Sequence, residues 1–329
     1  MKRILVLNQN FIGDVVFTLP AIKALYQGHN GSKIDVLVSG SAKEVLAENP
    51  YIDYIYIRPK KIKEKMELIR KIRSKNYDIC LSFSSKSIEL AIFSFLGGCK
   101  KRFGFFNPTT FPFFTSTLKE NPDYHSALDY LKLAIAAGGR KVSLIPEIFL
   151  SLEEIKRGEK LIEELGIRKN KPVFGILLGG STPFKRWHPP TLKKLLNILK
   201  EKGIILLFGG KELWDFGKAC EVENVYNLAG RFSLRESIAL LKSCSVFIGQ
   251  DSGLTHISAS LGVPTVATYS ATDPKRTAPL GKKVRVIFKP PSCGPCWGKR
   301  KCKDLICLRM ISAGEIAEEA MSIMEGENG

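Results

Sequence analysis

Short runs of aliphatic and β-branched residues recur along the chain, and each is followed by a turn and then by an amphipathic, helix-forming stretch. In the first half the runs are Arg3–Leu7, Lys33–Val38, Tyr54–Ile57 and Tyr77–Phe83. Between them the pattern predicts helices from about Val15 to Tyr26, near Ala42–Glu48 and near Lys61–Ser74. The series starts afresh after the polar stretch GIRKNK at 166–171, with strands expected near Val173–Leu178, Ile204–Phe208, Ser245–Ile248 and Thr265–Thr268. Helices are expected near Thr191–Lys202, Leu234–Lys242 and Leu254–Leu261. Such alternation builds right-handed β-α-β units around a parallel sheet. At 329 residues the chain exceeds what one core usually holds. The expectation is an α/β chain of two Rossmann-like domains facing one another across a cleft, residues 1–155 and 156–329, with a C-terminal helix packing back on the first domain.

In doubly wound sheets ligands bind beyond the carboxyl ends of the strands, so the loops after the strands should carry the function. The first of them, NQNFIGD, has Gly13 to permit a tight turn and Asp14 placed to cap the helix or to present a carboxylate. Neither GxGxxG nor GxxxxGK[ST] occurs there, which removes the dinucleotide and P-loop readings. In the second half, FIGQDSGLTHISASLG at 247–262 leaves a strand and enters a helix of small residues. The backbone N–H groups of Ser252, Gly253 and Leu254 would suit a phosphate; alternatively Asp251 or Ser252 simply caps that helix. His256 alone would be structural. The loop GGSTPFKRWHPPTL joins Gly179 and Gly180 to the hydroxyls of Ser181 and Thr182 and the cation of Lys185. That combination suits a diphosphate, or else is a surface turn with stray positive charge.

The formal net charge of +18 implies attraction to something anionic: nucleic acid, a phosphorylated sugar or an acidic membrane face. A lysine-rich, heat-adapted surface would give the same total. No apolar run approaches the roughly 20 residues that cross a bilayer, and a strand begins after two basic residues, so a cytoplasmic protein is expected. Four of the eight cysteines, Cys293, Cys296, Cys302 and Cys307, fall in SCGPCWGKRKCKDLIC with the spacing C-x2-C-x5-C-x4-C. They could hold a structural zinc, stay reduced, or form disulfides on oxidation. Six phenylalanines lie between 103 and 114, where they would either fill a core or touch lipid.

Taken in order, IGDVVFTLPAIKAL, NPYIDYIY, GGSTPFKRW, LFGGKE, NLAGRFSLRESIALLKSC, GQDSGLTHISASLGVPTVATYSATDPKRTAPLG and the cysteine segment resemble the ADP-heptose:lipopolysaccharide heptosyltransferases of glycosyltransferase family 9. The resemblance covers nearly the whole chain, and the cysteine segment is closest to the second-heptose enzymes. It implies a GT-B arrangement, with the acceptor on the N-terminal half, ADP-heptose on the C-terminal half, and inversion at the anomeric carbon. On that resemblance Asp14 is the base that takes the acceptor hydroxyl's proton and Lys185 neutralises the departing diphosphate. Ser181, Thr182, Glu212, Asp251, Ser252, Gly253 and His256 bind the donor, with Glu212 on the ribose diol and Leu228–Phe232 passing the adenine. No cofactor is required and magnesium is optional. The acceptor would be a Kdo-bearing or heptosylated inner-core glycolipid, met by Arg58, Lys60, Lys61, Lys101 and Arg102 at the inner face of the inner membrane. Another nucleotide-linked sugar is the alternative donor. A nucleic-acid-binding protein and a nucleotide-sugar epimerase are rival classes, and no nucleic-acid partner is expected, because no RNP, KH or helix-turn-helix pattern accompanies the scattered lysines.

Overall fold

The computed structural model describes all residues except 9–10, 168–170, 181, 300–301, 303 and 327–329, so part of GIRKNK lies outside the described residues. The chain forms two compact units, Met1–Phe149 and Leu150–Gly329. The first holds strands β1 (Arg3–Leu7), β2 (Lys33–Val38), β3 (Tyr54–Ile57), β4 (Ile79–Ser82), β5 (Lys101–Phe105) and β6 (Ser116–Leu118). They pair in parallel in the order β3-β2-β1-β4-β5-β6. Helices α1 (Ile12–Gly28), α2 (Ile62–Ser74), α3 (Ile88–Leu96) and α4 (Ser126–Ala136) connect and cover them. Helix was expected near Ala42–Glu48; a 3-10 segment over Gly40–Leu46 stands there.

The second unit repeats the plan. Helix α5 (Leu152–Glu164) leads into β7 (Val173–Leu177), α6 (Pro189–Leu199), β8 (Ile204–Phe208), α7 (Trp214–Lys218), β9 (Val225–Asn227) and α8 (Leu234–Leu241). Then come β10 (Val246–Gln250), α9 (Gly253–Ser260), β11 (Thr265–Tyr269), α10 (Pro274–Thr277), β12 (Val284–Phe288) and α11 (Ala313–Glu325). All pairings are again parallel, in the order β12-β11-β10-β7-β8-β9. The central strands are buried along their length, which is why they read as unbroken apolar runs rather than alternating ones.

One expectation about organisation is corrected. The division falls at 149/150 rather than 155/156, because α5 packs on α8 of the second unit. Glu154 Oε1 accepts from Arg235 Nε at 2.6 Å, and Gly158 brings α5 so near that an added Cβ would lie 2.9 Å from Ala239. A reciprocal Ser151–Glu154 capping box starts that helix cleanly. The C-terminal helix α11 places Ile316, Ala317, Ala320 and Ile323 in the second unit's own core, against α6 and β10–β12.

In each sheet the strand order reverses direction at one place, between β1 and β4 and between β7 and β10. A crevice opens at such a point beyond the carboxyl ends of the two strands.

Candidate functional site

At the β7/β10 reversal the loop after β7 folds back on itself. Gly179 and Arg186 form an antiparallel bridge, the Gly180 N–H donates to the Lys185 carbonyl at 2.7 Å, and the Lys185 N–H donates to the Thr182 carbonyl at 3.0 Å. A Cβ on Gly179 would lie 2.9 Å from Arg186 Cγ, and one on Gly180 would lie 3.0 Å from Lys185 Cβ. The two glycines therefore serve the loop's own tight return. Buried Trp187 pins the loop by donating its indole N–H to the Leu177 carbonyl at 2.5 Å. Thr182 Oγ1 is shielded from solvent with no hydrogen-bond partner among the described residues, and Ser181 lies outside them.

The loop presents Lys185 to the loop after β10. Its Nζ stands 2.8 Å from Asp251 Oδ2, while Asp251 Oδ1 lies 3.4 Å from His256 Nε2 and 3.5 Å from the Tyr269 hydroxyl. Asp251 is only 5% exposed. Burial pushes its carboxyl pKa up, but the His256 hydrogen bond and the Lys185 charge outweigh that and hold it below the ordinary carboxylate range. Burial, with the Asp251 charge beside it, raises the Tyr269 phenol well above its ordinary value, so it remains a donor and gives its proton to the Thr277 carbonyl at 2.6 Å.

Asp251 does not cap α9. That position belongs to Ser252, which makes no side-chain capping hydrogen bond, so the helix opens at Gly253 with its positive dipole end beside the Lys185–Asp251 pair. His256, in the first turn of α9, is buried with its ring turned to Asp251. The structure thus brings together Thr182, Lys185, Asp251, Ser252, Gly253 and His256.

Glu212 stands apart on the loop after β8. It is exposed in a 3-10 turn over Lys211–Leu213, its carboxylate folded over Gly210, where an added Cβ would come 2.3 Å from Oε2. The start of Leu228–Phe232 is tied to the same loop: Leu228 N–H donates to the Leu207 carbonyl and Gly230 N–H to the Gly209 carbonyl, both at 2.9 Å. A cavity of about 40 Å³ lies at the carboxyl ends of β10 and β11, with Lys185, Gln250, Asp251, Thr191, Thr268 and Thr272 among its walls. Gln250 and Tyr269 escaped the sequence reading. The signal for Gln250 was available: Val246, Ile248 and Gln250 share one face of β10, and the third breaks an apolar column.

In the first unit α1 begins at Ile12 with Phe11 at its N-cap, so Asp14 occupies the third helical position rather than the cap. It is half-buried in the first turn, at the positive end of the helix dipole. Gln9 and Asn10 lie outside the described residues. Buried Asn8, just past β1, donates to Thr18 Oγ1 at 2.6 Å and locks the strand end to the helix.

The five basic residues assigned to the acceptor are not gathered in one place. Arg58 follows the carboxyl end of β3 and is held by Glu89, with Nη2 to Oε2 at 2.9 Å, a carboxylate also met by Lys65 at 3.1 Å. Lys60 is exposed, and Lys61 keeps 84% of its side-chain surface open. Lys101 and Arg102 instead open β5, whose register sets Arg102 level with Cys80, Leu5, Asp35 and Tyr54. Arg58 is four residues further along, about 13 Å away in the strand direction. Arg102 is also committed locally, donating to the carbonyls of Cys99 at 2.8 Å and Phe113 at 2.7 Å and stacking on Phe95. Of the six phenylalanines, Phe103, Phe105 and Phe114 are buried while Phe106 and Phe111 are exposed.

The four late cysteines are free thiols, and burial, with smaller contributions from neighbouring Cys296, Cys302 and Cys293, raises the Cys307 pKa. Among the described residues no group of three or more His, Cys, Asp or Glu is arranged to hold a metal ion. Cys302 is exposed and the other three are half-buried. Among the described residues no helix is long and apolar enough to cross a membrane.

Comparison with known proteins places these features in a family. The model of glycosyltransferase family 9 (heptosyltransferase) matches residues 65–306. Lipooligosaccharide heptosyltransferase 2 of Haemophilus ducreyi is 28% identical over 308 residues, covering 87% of this chain and 88% of the relative. Lipopolysaccharide heptosyltransferase 2 of Escherichia coli is 25% identical over 305 residues, covering 87% of each. The crystal structure of a family 9 glycosyl transferase from Veillonella parvula shares the fold with a TM-score of 0.90 at 22% identity, over 99% of this chain and 98% of that one. The structure of the Escherichia coli ADP-heptose lps heptosyltransferase II does so with a TM-score of 0.82 at 23% identity, over 100% of both chains. Two parallel α/β units of the GT-B class and a family match over most of the sequence agree: the chain belongs to glycosyltransferase family 9, the heptosyltransferases.

Proposed function

We propose that this chain transfers a heptose, with inversion, from ADP-heptose to a Kdo-bearing or heptosylated inner-core lipopolysaccharide acceptor. The observation that carries the reading is the Lys185–Asp251 pair set beside a helix start without a side-chain cap, at the reversal point of the second sheet. Lys185 and the first amides of α9 together make a site for a diphosphate. As the glycosidic bond breaks, negative charge collects on the leaving ADP, and Lys185 exchanges its hold on Asp251 for the phosphate oxygens. Asp251 and His256 then face the sugar, Thr182 adds a hydroxyl, and Glu212 accepts from the ribose. No step requires a metal, so magnesium is dispensable. Asp14 is the base that takes the proton of the acceptor hydroxyl as it attacks.

The acceptor is a lipid, and the surface of the first unit suits a peripheral contact with an anionic cytoplasmic leaflet. Phe95, Phe106 and Phe111 are exposed, Phe95 under the Arg102 guanidinium and the Phe106 and Phe111 rings 5.6 Å apart, and Lys86 and Lys101 are exposed as well.

The donor reading is tested by calorimetric binding of ADP, UDP and GDP with EDTA present. Selective ADP binding without metal is expected. Preference for UDP or GDP overturns the heptose donor in favour of another nucleotide-linked sugar, and affinity only for an oligonucleotide overturns the transferase reading.

A further inference from the structure

Gln250 ends β10 on the face that carries Val246 and Ile248 into the core, and it is 7% exposed. Neither its amide oxygen nor its amide nitrogen has a hydrogen-bond partner among the described residues. A buried carboxamide left unmade at both ends is costly, and natural chains keep such groups where something else completes them. What lies beside it is the cavity of about 40 Å³ that Lys185 and Asp251 also line. Beside Gln250 the wall carries the hydroxyls of Thr191, Thr268, Ser270 and Thr272 together with the charged side chain of Arg186. The backbone holds the amide in place: Thr255 Oγ1 donates to the Gln250 carbonyl at 2.7 Å, and Gln250 is in register with Thr268 on β11.

A carboxamide offers one acceptor and two donors on a rigid plane, and hydroxyls both donate and accept. A carboxamide and hydroxyls match a ligand whose groups also give and take hydrogen bonds, as a sugar diol does, while the charged Lys185 and Arg186 on the same wall can meet the phosphates beside it. The volume admits two or three waters or a short polar arm, but not a second ring.

We propose that Gln250 is a specificity-determining residue that hydrogen-bonds the hydroxyl-bearing arm projecting beyond the ring of the transferred sugar, seated in this cavity beside Lys185 and Asp251. The inference rests on the proposed transfer from ADP-heptose, whose seventh carbon makes that arm a two-carbon glycol. An ADP-hexose keeps the C6 hydroxyl but lacks the seventh carbon and its hydroxyl, so the carboxamide loses a partner there, and a site built to bond a hydroxyl disfavours the analogue without it.

The test compares ADP-heptose with ADP-mannose as donors, for the wild-type chain and for Gln250→Leu and Gln250→Asn, alongside calorimetric ADP binding and thermal melting. The wild type should prefer heptose in kcat/KM, and Gln250→Leu should lose roughly 10- to 100-fold of that preference while ADP affinity holds. Gln250→Asn, which keeps the amide but withdraws it, should not restore the preference. A preference unchanged in Gln250→Leu overturns the inference, leaves the heptose reading standing, and makes the amide a partner of buried water only. A well-folded wild type that binds ADP but turns over neither donor overturns the heptose reading, and this inference with it.

Discussion

Replacing Lys185 by alanine separates what the lysine does for the fold from what it does for a ligand. Its Nζ is 2.8 Å from the carboxylate of Asp251, and its side chain is 26% exposed against 7% for Asp251. Breaking a fully buried pair from one side costs about 3–5 kcal/mol. Here water can reach the vacated space from the lysine side, so about 2–3 kcal/mol is the better figure. For a unit of this size that lowers the melting temperature by roughly 4–12 °C. The effect on ADP is separate. A charge-assisted hydrogen bond contributes about 1.5–3 kcal/mol, but the free protein already spends Lys185 on Asp251, so roughly tenfold weaker ADP binding is expected. Adding Asp251→Asn should recover most of the lost melting temperature, because the uncompensated charge is gone, without recovering ADP affinity. Scanning calorimetry and titration calorimetry read the two effects independently. If Lys185→Ala melts with the wild type and binds ADP equally well, both the ion-pair argument and the diphosphate assignment fail.

Three further outcomes follow from the same geometry. Asp14→Asn should lower turnover about 10²- to 10⁴-fold in a transfer assay while ADP binding is preserved; full activity ends its assignment as the base. Because the folded-state pKa of Asp251 is depressed, the native unit binds fewer protons than the unfolded chain near pH 4, so the stability Asp251 contributes is present above its unfolded value of about 3.9 and lost as pH falls below it. Acid unfolding followed by circular dichroism should show that loss, and Asp251→Asn should flatten it; an unchanged profile refutes the linkage. Joint replacement of Phe95, Phe106 and Phe111 by serine should reduce co-sedimentation with phosphatidylglycerol vesicles without lowering the melting temperature, since these rings are exposed; undiminished sedimentation removes the membrane contact.

How far the sequence could be read depended on whether a feature is local. β1, β2 and β8 fall where their apolar runs stand, since a buried parallel strand must be apolar throughout, and the edge strand β3 is legible from its aromatic and β-branched residues. Edge strands such as β6 and β9 were passed over, because three residues carry too little pattern to be told from a turn. The Lys185 loop announced itself by its glycines, yet their purpose emerged only from the 2.7 Å fold-back of Gly180 onto Lys185. The pairing of Lys185 with Asp251 spans 66 positions, and no periodicity encodes it. Arg102 shows the reverse failure: a cation that looked available for an acceptor is engaged by two carbonyls of its own neighbourhood.

The central claim is that this chain moves a heptose from ADP to an inner-core acceptor. The most direct measurement incubates the purified protein with ADP-heptose and a Kdo-bearing or heptosylated lipid acceptor, with EDTA present, and follows the acceptor by mass spectrometry. An acceptor heavier by one heptose is expected, with one ADP released per transfer. An unmodified acceptor, under conditions in which a family 9 heptosyltransferase of known activity completes the same transfer, would contradict it.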